Sequence, residues 1–298
     1  MVTLSDAVRA EYPWEGTTFD VDGGQMHVLD EGPRDGEVLL CVHGNPTWSF
    51  YWRSIVKQFS STHRVVVPDH MGCGLSDRPQ DWTYRLADHV SNLERVVNAL
   101  DLDHVTLIVH DWGGAIGFGW AARNPERVAR LVVTNTAAFR SQAIPLSIAS
   151  CRIPGFGALA VRGGNAFARV ATWRATAKGL SSTAKAGLLA PYDSWANRIA
   201  TLRFVEDIPL DASHPSYPAL VETEQGIDQF TQTPALMCWG DDDFCFTPSF
   251  REEWKERLPN AEVHAWEDVG HYVMEDAPDR VEGLLRAFLT AHPLSDRA

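Results

Sequence analysis

Residues 107–114 of this chain read LIVHDWGG, and residues 115–122 continue as AIGFGWAA. The apolar run at the start predicts a buried strand, and the small residues after Gly114 predict a helix packed closely on a sheet. A sharp strand-to-helix turn lifts a nucleophile above a sheet, usually in the pattern Gly-x-Ser-x-Gly. Here Val109 replaces the first glycine, and Asp111 stands where a serine is expected.

An aspartate in this turn predicts covalent catalysis. A carboxylate nucleophile attacks an electrophilic carbon and forms an ester, which is then hydrolysed or rearranged. The candidate substrates are therefore those whose electrophilic carbon carries a good leaving group. The alternative is a surface Asp-Trp pair in an ordinary turn, which is disfavoured because other loops supply matching partners for Asp111.

Composition sets the broad class of the protein. A chain of 298 residues with 45% hydrophobic residues can form one large α/β domain, with or without an insertion. No segment approaches the roughly 18 apolar residues that span a bilayer, and residues 1–20 lack the pattern of a signal peptide. The net charge of −13 argues against nucleic acid and anionic membrane surfaces as partners.

The five cysteines form neither a CxxC pair nor a cluster with histidines at metal-ligand spacing. We therefore expect free thiols, a reducing cytoplasmic location, and neither a metal nor another cofactor.

Seven runs along the chain predict strands that alternate with helical stretches. This alternation is typical of a mostly parallel sheet covered by helices on both faces. The runs are residues 26–30, which alternate like an early antiparallel strand, 38–42, 64–68, 106–109, 131–135, 235–240 and 262–266.

The pattern changes between residues 139 and 231, where strand-like runs stop and Ala, Gly, Arg and Ser dominate. We expect a helical cap here, inserted after the sixth strand, over a core made of residues 1–138 and 232–298. Ligands of open α/β sheets bind beyond the carboxyl ends of the strands, so a cap there would cover the site and exclude water from it. A separately folded second domain is the alternative, but this stretch lacks a core pattern of its own.

Three loops at strand ends offer a nucleophile, an acid and a histidine in that chain order. Asp111 is the candidate nucleophile, and His271 in the run GHYV after the last strand is the candidate base. A carboxylate on one ring nitrogen fixes the tautomer of such a histidine and stabilises its imidazolium. Of the three aspartates in WGDDD (239–243), the spacing Gly-x-x-Asp selects Asp243, which leaves Asp241 and Asp242 as solvated or structural residues.

Two residues are candidates for stabilising developing negative charge. The backbone N–H groups of Trp112 and Asn45 fit the two positions of an oxyanion hole. Their side chains are N–H donors as well, and an indole can only donate, so Trp112 suits an anionic leaving group. Ordinary packing for Trp112 and loop capping for Asn45 are the structural alternatives.

The runs HGNPTW (43–48), DHMGCGLS (69–76), HDWGG (110–114) and GH (270–271) together resemble those of the haloalkane dehalogenases. The resemblance implies an α/β-hydrolase fold with an eight-stranded, mostly parallel sheet flanked by helices. It also implies that an aspartate displaces halide, that an Asn–Trp pair stabilises the halide, and that the histidine activates water. One subgroup takes its acid from the loop after the sixth strand, which here reads NTAA (135–138), so the subgroup that uses the later acid is the better match.

Three further stretches are similar to the β-lactone decarboxylases of bacterial long-chain olefin biosynthesis, which share the dehalogenase machinery. These stretches are LDEGPRDGE (29–37), NTAAF (135–139) and PYDSWANRI (191–199). The resemblance implies conversion of a cis-3,4-dialkyl β-lactone into a cis-alkene and carbon dioxide. It also implies a small hydrophobic substrate, with a β-lactone synthetase and other enzymes of the same pathway as partners.

Three other functions are alternatives to this one. Hydrolytic dehalogenation uses the same residues and differs only in the substrate and in the fate of the intermediate. An epoxide hydrolase needs cap tyrosines, for which Tyr192 and Tyr217 are candidates, but Asn45 and Trp112 fit an anion better. A non-enzymatic receptor is disfavoured by the complete set of nucleophile, acid and histidine.

Overall fold

The computed structural model of the protein describes residues 2–294 and contains one eight-stranded sheet. The strands are β1 (Thr17–Val21), β2 (Gly24–Glu31), β3 (Val38–Val42), β4 (Arg64–Pro68), β5 (Val105–Asp111), β6 (Val128–Thr136), β7 (Ala235–Gly240) and β8 (Glu262–Trp266). Their order across the sheet is β1-β2-β4-β3-β5-β6-β7-β8. The β1–β2 and β2–β4 pairs are antiparallel, and all the others are parallel.

The central strands are apolar on both faces, as expected for a parallel sheet covered by helices. In β3, Val38, Leu40 and Val42 belong to one hydrophobic cluster, whereas Leu39 and Cys41 belong to the cluster on the opposite face. This alternation follows from the two-residue period of a strand. It buries both faces of the sheet and fixes the ends of the strands relative to one another.

The α-helices are α1 (Asp6–Glu11), α2 (Arg53–Phe59), α3 (Leu86–Ala99), α4 (Trp112–Arg123), α5 (Leu146–Ser150), α6 (Ala166–Arg174), α7 (Ser182–Leu189), α8 (Ile199–Glu206), α9 (Tyr217–Gly226), α10 (Pro248–Arg257), α11 (Val273–Asp276) and α12 (Pro278–Ala291). Helices α3, α4 and α10 contribute to the cluster on one face of the sheet, and α1, α2 and α12 to the cluster on the other. In the described part of the chain, no helix is both long and apolar enough to cross a membrane.

All seven strand predictions are confirmed, with ends that shift by up to three residues. The largest extension is in β6, which begins at Val128 rather than at residue 131. The sequence did not predict β1, because its burial pattern is mostly exposed and it joins the sheet at an edge. It also did not predict the short helix α1.

The range from 139 to 231 contains helices α5 to α9 and a π-helix, Ala158–Gly163, and no strand is assigned within it. Helix α9 packs against α3 and α4, and its Leu220 belongs to the main hydrophobic cluster. Ile148 of α5, Phe167 of α6 and Val205 of α8 line one cavity together with Asp111 at the end of β5.

Candidate active site

Asp111 lies at the point where β5 ends and α4 begins. Its backbone has a φ of 50°, a region that side chains other than glycine rarely adopt and that costs free energy. Close packing requires the glycines around it. A Cβ atom on Gly44 would lie 2.1 Å from Asp111 Oδ1, and one on Gly113 would lie 2.1 Å from the carbonyl oxygen of Val42. The glycine of HGN therefore lets its loop approach the carboxylate of Asp111, and the first glycine of DWGG lets α4 approach the end of β3.

The two backbone donors predicted for the oxyanion hole hold the Asp111 carboxylate itself. The N–H of Asn45 donates to Asp111 Oδ1 at 2.7 Å, and the N–H of Trp112 also hydrogen-bonds this carboxylate. The Asn45 donor thus fixes Oδ1 and leaves Oδ2 as the oxygen that faces the histidine. This is an orientation suited to a nucleophile that attacks through its second oxygen.

His271 joins the candidate acid to the candidate nucleophile. Its Nδ1 lies 2.8 Å from Asp243 Oδ2, and its Nε2 lies 3.6 Å from Asp111 Oδ2. Asp243 accepts the Nδ1 proton, because a carboxylate is the acceptor in such a pair. The structure therefore brings Asp111, His271 and Asp243 together from the ends of β5, β8 and β7.

Two groups orient the Asp243 carboxylate. The backbone N–H of Cys245 donates to Oδ1 at 2.6 Å, and Asn135 Nδ2 donates to Oδ2 at 2.9 Å. Asp241 instead pairs with Arg251, and Asp242 is exposed. Of these three aspartates, Asp243 is the one whose carboxylate contacts His271.

Asn135 is a positioning residue that the sequence analysis missed. Its carboxamide bonds Asp243, and it also bonds the carbonyl and the N–H of Gly240 at 2.9 and 2.8 Å. It therefore ties the end of β6 to the end of β7. The sequence signal for it was an amide at the end of the sixth strand, a place where the sequence analysis noted only that an acid is missing.

The loop that carries His271 is held from two sides. His110 Nε2 donates to the carbonyl oxygen of His271 at 2.9 Å. The buried carboxylate of Asp276 accepts from the backbone N–H groups of Gly270, Ala177 and Lys178 at 2.7 to 3.0 Å. These contacts link the histidine loop both to the nucleophile turn and to the segment that follows α6.

The charges of the site influence one another because the site is buried. Burial raises the pKa of Asp111, although His271 and the two backbone donors oppose this shift. Burial lowers the pKa of His271, but the nearby carboxylates of Asp243 and Asp111 outweigh it, so that the pKa lies above its ordinary value. Burial also lowers the pKa of His110 well below its usual range, which keeps that ring neutral.

The two candidate side-chain donors differ in what they contact. Asn45 Nδ2 donates one proton to the carbonyl oxygen of Thr201 in α8 at 3.2 Å, which leaves its second proton for a ligand. The indole of Trp112 packs on Phe204, and within residues 2–294 its N–H has no hydrogen-bond acceptor. Half of the donor capacity of the Asn45 carboxamide thus anchors its loop to α8.

A cavity of about 130 Å³ lies beside these groups. Its polar lining includes Asn45, Asp111 and Trp112, and the rest is predominantly apolar. The apolar part comes from the core and from the overlying segment, and includes Leu86, Ile144, Ile148, Phe167, Val205, Ile208, Leu220 and Phe246. Such a lining suits a hydrophobic substrate with one polar centre next to Asp111.

The two tyrosines considered as proton donors to an epoxide lie elsewhere. The hydroxyl of Tyr192 is buried and donates to the carbonyl oxygen of Thr47 at 3.2 Å. Tyr217 interacts with Arg140. Neither lines the cavity, so the arrangement disfavours an epoxide hydrolase.

Comparison with known sequences agrees with this geometry. Residues 37–278 match the family model of the α/β-hydrolase fold. The chain is 43% identical, over 93% of its length and 89% of the relative's, to a cis-3-alkyl-4-alkyloxetan-2-one decarboxylase of Shewanella oneidensis. It is 41% identical to the protein of the same name from Xanthomonas campestris, with 95% and 98% of the two chains covered. A haloalkane dehalogenase of Mycobacterium tuberculosis is 30% identical over 91% of this chain and 93% of its own.

Solved structures give the same grouping. Haloalkane dehalogenase DbeA from Bradyrhizobium elkani superimposes with a TM-score of 0.83 at 27% identity, with 92% of this chain and 98% of that chain covered. Haloalkane dehalogenase DatA from Agrobacterium tumefaciens gives the same score and identity, with 93% and 96% covered. The chain thus belongs to the α/β-hydrolase family, in the group that includes the cis-3-alkyl-4-alkyloxetan-2-one decarboxylases and the haloalkane dehalogenases.

Proposed function

We propose that this protein converts a cis-3,4-dialkyl β-lactone into a cis-alkene and carbon dioxide. The observation that carries the proposal is a buried aspartate nucleophile, held by two backbone donors, at the end of a mostly apolar cavity. The identity of above 40% to two decarboxylases named for this substrate class favours it over the dehalogenase activity of more distant relatives.

In the reaction we propose, Asp111 Oδ2 attacks the β-carbon of the lactone and breaks its bond to the ring oxygen. This step forms an ester with Asp111 and frees the carboxylate of the substrate. The bond from the α-carbon to that carboxylate then breaks, its electrons form the double bond, and Asp111 leaves as a carboxylate. Inversion followed by anti elimination gives a cis-alkene from a cis-lactone. Attack at the carbonyl carbon, which gives an anhydride, is the competing route.

The second proton of Asn45 Nδ2 and the indole N–H of Trp112 are the proposed donors to the carboxylate that departs in the first step. The proposed route neither consumes water nor transfers a net proton. His271, oriented by Asp243, is therefore proposed to act on Asp111 through its charge, 3.6 Å away, rather than as a base that activates water.

We also propose that residues 139–231 form a cap over this site. Its residues Ile144, Ile148, Phe167 and Val205 line the cavity, and α9 packs on α3 and α4, which would fasten the cap to the core. A cytoplasmic location fits the five free cysteines, and a β-lactone synthetase is the expected supplier of the substrate.

Hydrolytic dehalogenation is the second candidate function. The observation that favours it is the free indole N–H beside Asp111, which suits a halide as well as a carboxylate. In that reaction His271 would have to remove a proton from water, and the Asp111 ester would be hydrolysed instead of losing carbon dioxide.

The experiment that separates the two functions measures two products from two substrates. The purified protein is incubated with a cis-3,4-dialkyl β-lactone and, separately, with a 1-bromoalkane, while alkene and bromide are assayed. The proposal predicts alkene from the lactone with little bromide from the bromoalkane. Bromide release without alkene would contradict it and would support the second candidate.

A further inference from the structure

The cap has a surface whose composition differs from that of the rest of the chain. Residues 139–192 contain seven arginines and lysines and no aspartate or glutamate, although the whole chain has a net charge of −13. The same stretch exposes six large apolar side chains, among which Leu146 is 88% and Trp173 65% exposed. These six, which we call the docking face, are Leu146, Ile153, Phe156, Leu159, Val170 and Trp173.

Such exposure is concentrated in one part of the molecule. Among the described residues, the one other large apolar side chain exposed to this degree is Trp195, which also lies in the predicted cap. Scattered single apolar residues are normal on a protein surface, but a contiguous apolar patch marks an interaction site. The π-helix that carries Leu159 packs against α6, which carries Val170 and Trp173 one turn apart, so that these three exposed residues belong to neighbouring elements.

Several cations of the stretch are available to a ligand. Arg169, Arg174 and Lys185 are exposed, and within residues 2–294 they form no ion pair. By contrast, Arg140 pairs with Glu224, and Lys178 pairs with Asp268. The docking face therefore lies among unpaired positive charges.

The docking face is also continuous with the cavity. Leu146 stands between Pro145 and Ile148, both of which line the cavity, and Val170 lies one helical turn after Phe167, which also lines it. A cavity of about 130 Å³ is close to the size that holds a single benzene molecule, roughly 150 Å³. If the proposed substrate binds here, alkyl chains larger than this volume would extend out of the cavity, beside which Leu146 and Val170 of the docking face lie.

We propose that the docking face binds the surface of an anionic lipid bilayer. Exposed tryptophan, phenylalanine and leucine side chains with surrounding arginine and lysine are the combination that inserts into the headgroup region of such a membrane. A second copy of the chain is a poor occupant, because two such faces would bring like charges together. This inference revises the expectation, drawn from the net charge, that argued against anionic membrane surfaces as partners, because the positive charge is concentrated in residues 139–192.

The docking itself does not depend on the reaction, but its purpose rests on the proposed function. A dialkyl lactone and its alkene product partition into a bilayer, so a cavity that opens onto the membrane would exchange alkyl chains without passing them through water.

Vesicle flotation of the whole protein without substrate tests the docking. One set of vesicles contains only phosphatidylcholine, and the other contains equal parts of phosphatidylcholine and phosphatidylglycerol. We expect the protein to float with the second set and not with the first, and high salt should weaken the binding. Absence of binding to the anionic vesicles would overturn the proposal.

Variants identify the surface that binds. Leu159→Ser combined with Trp173→Ser removes apolar area without a change in charge, and Arg169→Glu reverses one cation. Each should lower the fraction bound by about tenfold, while the matched control Arg95→Glu, an exposed arginine in α3, should lower it much less. The assignment of the docking face would be contradicted if Arg169→Glu and Arg95→Glu lowered the bound fraction equally, or if the serine pair left it unchanged. It would also be contradicted if the protein formed dimers without lipid and the serine pair abolished them.

The failure of the two proposals can be told apart. If the proposed reaction is wrong, no alkene forms from a lactone supplied either in vesicles or in detergent, and flotation is unchanged. If only the docking is wrong, alkene forms from both preparations and flotation fails.

Discussion

The side chains around Asp111 form a short chain of contacts in which each residue has a separate task. Backbone N–H groups of Asn45 and Trp112 hold the carboxylate, His271 lies 3.6 Å from its second oxygen, and Asp243 fixes the imidazole. Because the site is buried, a donor placed where negative charge develops has a larger effect than it would have in water.

Substitution of Trp112 by phenylalanine tests the role of the indole. The change keeps most of the packing on Phe204 but removes the N–H that is proposed to receive the departing carboxylate. We expect alkene formation to slow by roughly 100-fold, as for the loss of one oxyanion donor. Single-turnover kinetics with a β-lactone would measure this rate.

The matched control is Trp82→Phe, because that indole donates to Asp22 on the surface and does not line the cavity. Its rate should equal that of the wild type. An unchanged rate in Trp112→Phe would mean that the indole of Trp112 serves packing alone.

At the scale of elements, the site depends on loops that follow the parallel strands and on glycines that let these elements approach. Gly113 in the first turn of α4 lies against the end of β3, where a Cβ would come within 2.1 Å of the Val42 carbonyl oxygen. Backbone atoms on both sides leave little room for adjustment, so the helix can begin at Trp112 only with a glycine at the next position.

Gly113→Ala should therefore destabilise the fold by about 1–3 kcal/mol, the usual cost of overpacking. Gly283→Ala is the matched control, because Gly283 lies in α12 and a Cβ added there would meet nothing within 4 Å. There, alanine should stabilise the protein by roughly 0.5–1 kcal/mol through helix propensity. Urea unfolding of both variants measures whether the free energy of unfolding falls for Gly113→Ala and rises for Gly283→Ala. Equal changes in the two variants would contradict this packing argument.

The sequence allowed the strands and the convergence of Asp111, His271 and Asp243 to be predicted, because strand ends and short motifs are local features. It did not allow the contacts of Asn135, Asp276 and Thr201 to be predicted. Asn135 reaches a residue 108 positions away, and the Thr201 carbonyl is 156 positions from Asn45. Such partners are set by how the loops and the cap pack, which no local pattern encodes.

For the whole molecule, the sheet brings Asp111, His271 and Asp243 to one buried point, and the pKa values of Asp111 and His271 separate the two candidate reactions by pH. A fall in pH should slow decarboxylation only by protonating Asp111, because the charged form of His271 is the one proposed to assist it, whereas hydrolysis needs a neutral His271 as a base. The pKa of His271 is raised mainly by Asp243, against burial, and the pKa of Asp111 is raised by burial. Each reaction should fail as the pH falls through the pKa of the group that it needs unprotonated.

Alkene formation should therefore persist below the ordinary imidazole value of about 6.5 and fail only nearer the carboxylate range, above about 3.9. Any bromide release should already fall at a pH above about 6.5. The prediction is checked by measuring the rates of alkene formation and of bromide release between these two pH values. If alkene formation declined together with bromide release, His271 would be needed as a base in both reactions.

Charge is also distributed unevenly over the molecule, since the stretch 139–192 is cationic in a chain that is acidic overall. Net charge alone describes the long-range field, while a positive patch can still bind an anionic surface at short range. The proposed cap would therefore have two tasks, because some of its residues line the cavity and others form the docking face.

The central claim is that Asp111 is the nucleophile of a β-lactone decarboxylase, and one measurement tests it most directly. Alkene formation from a cis-3,4-dialkyl β-lactone is compared between the wild type and Asp111→Asn, whose asparagine tolerates the positive φ of this turn. The account predicts cis-alkene from the wild type and none above background from a variant with the same unfolding curve. Retention of more than a few per cent of the rate would contradict it.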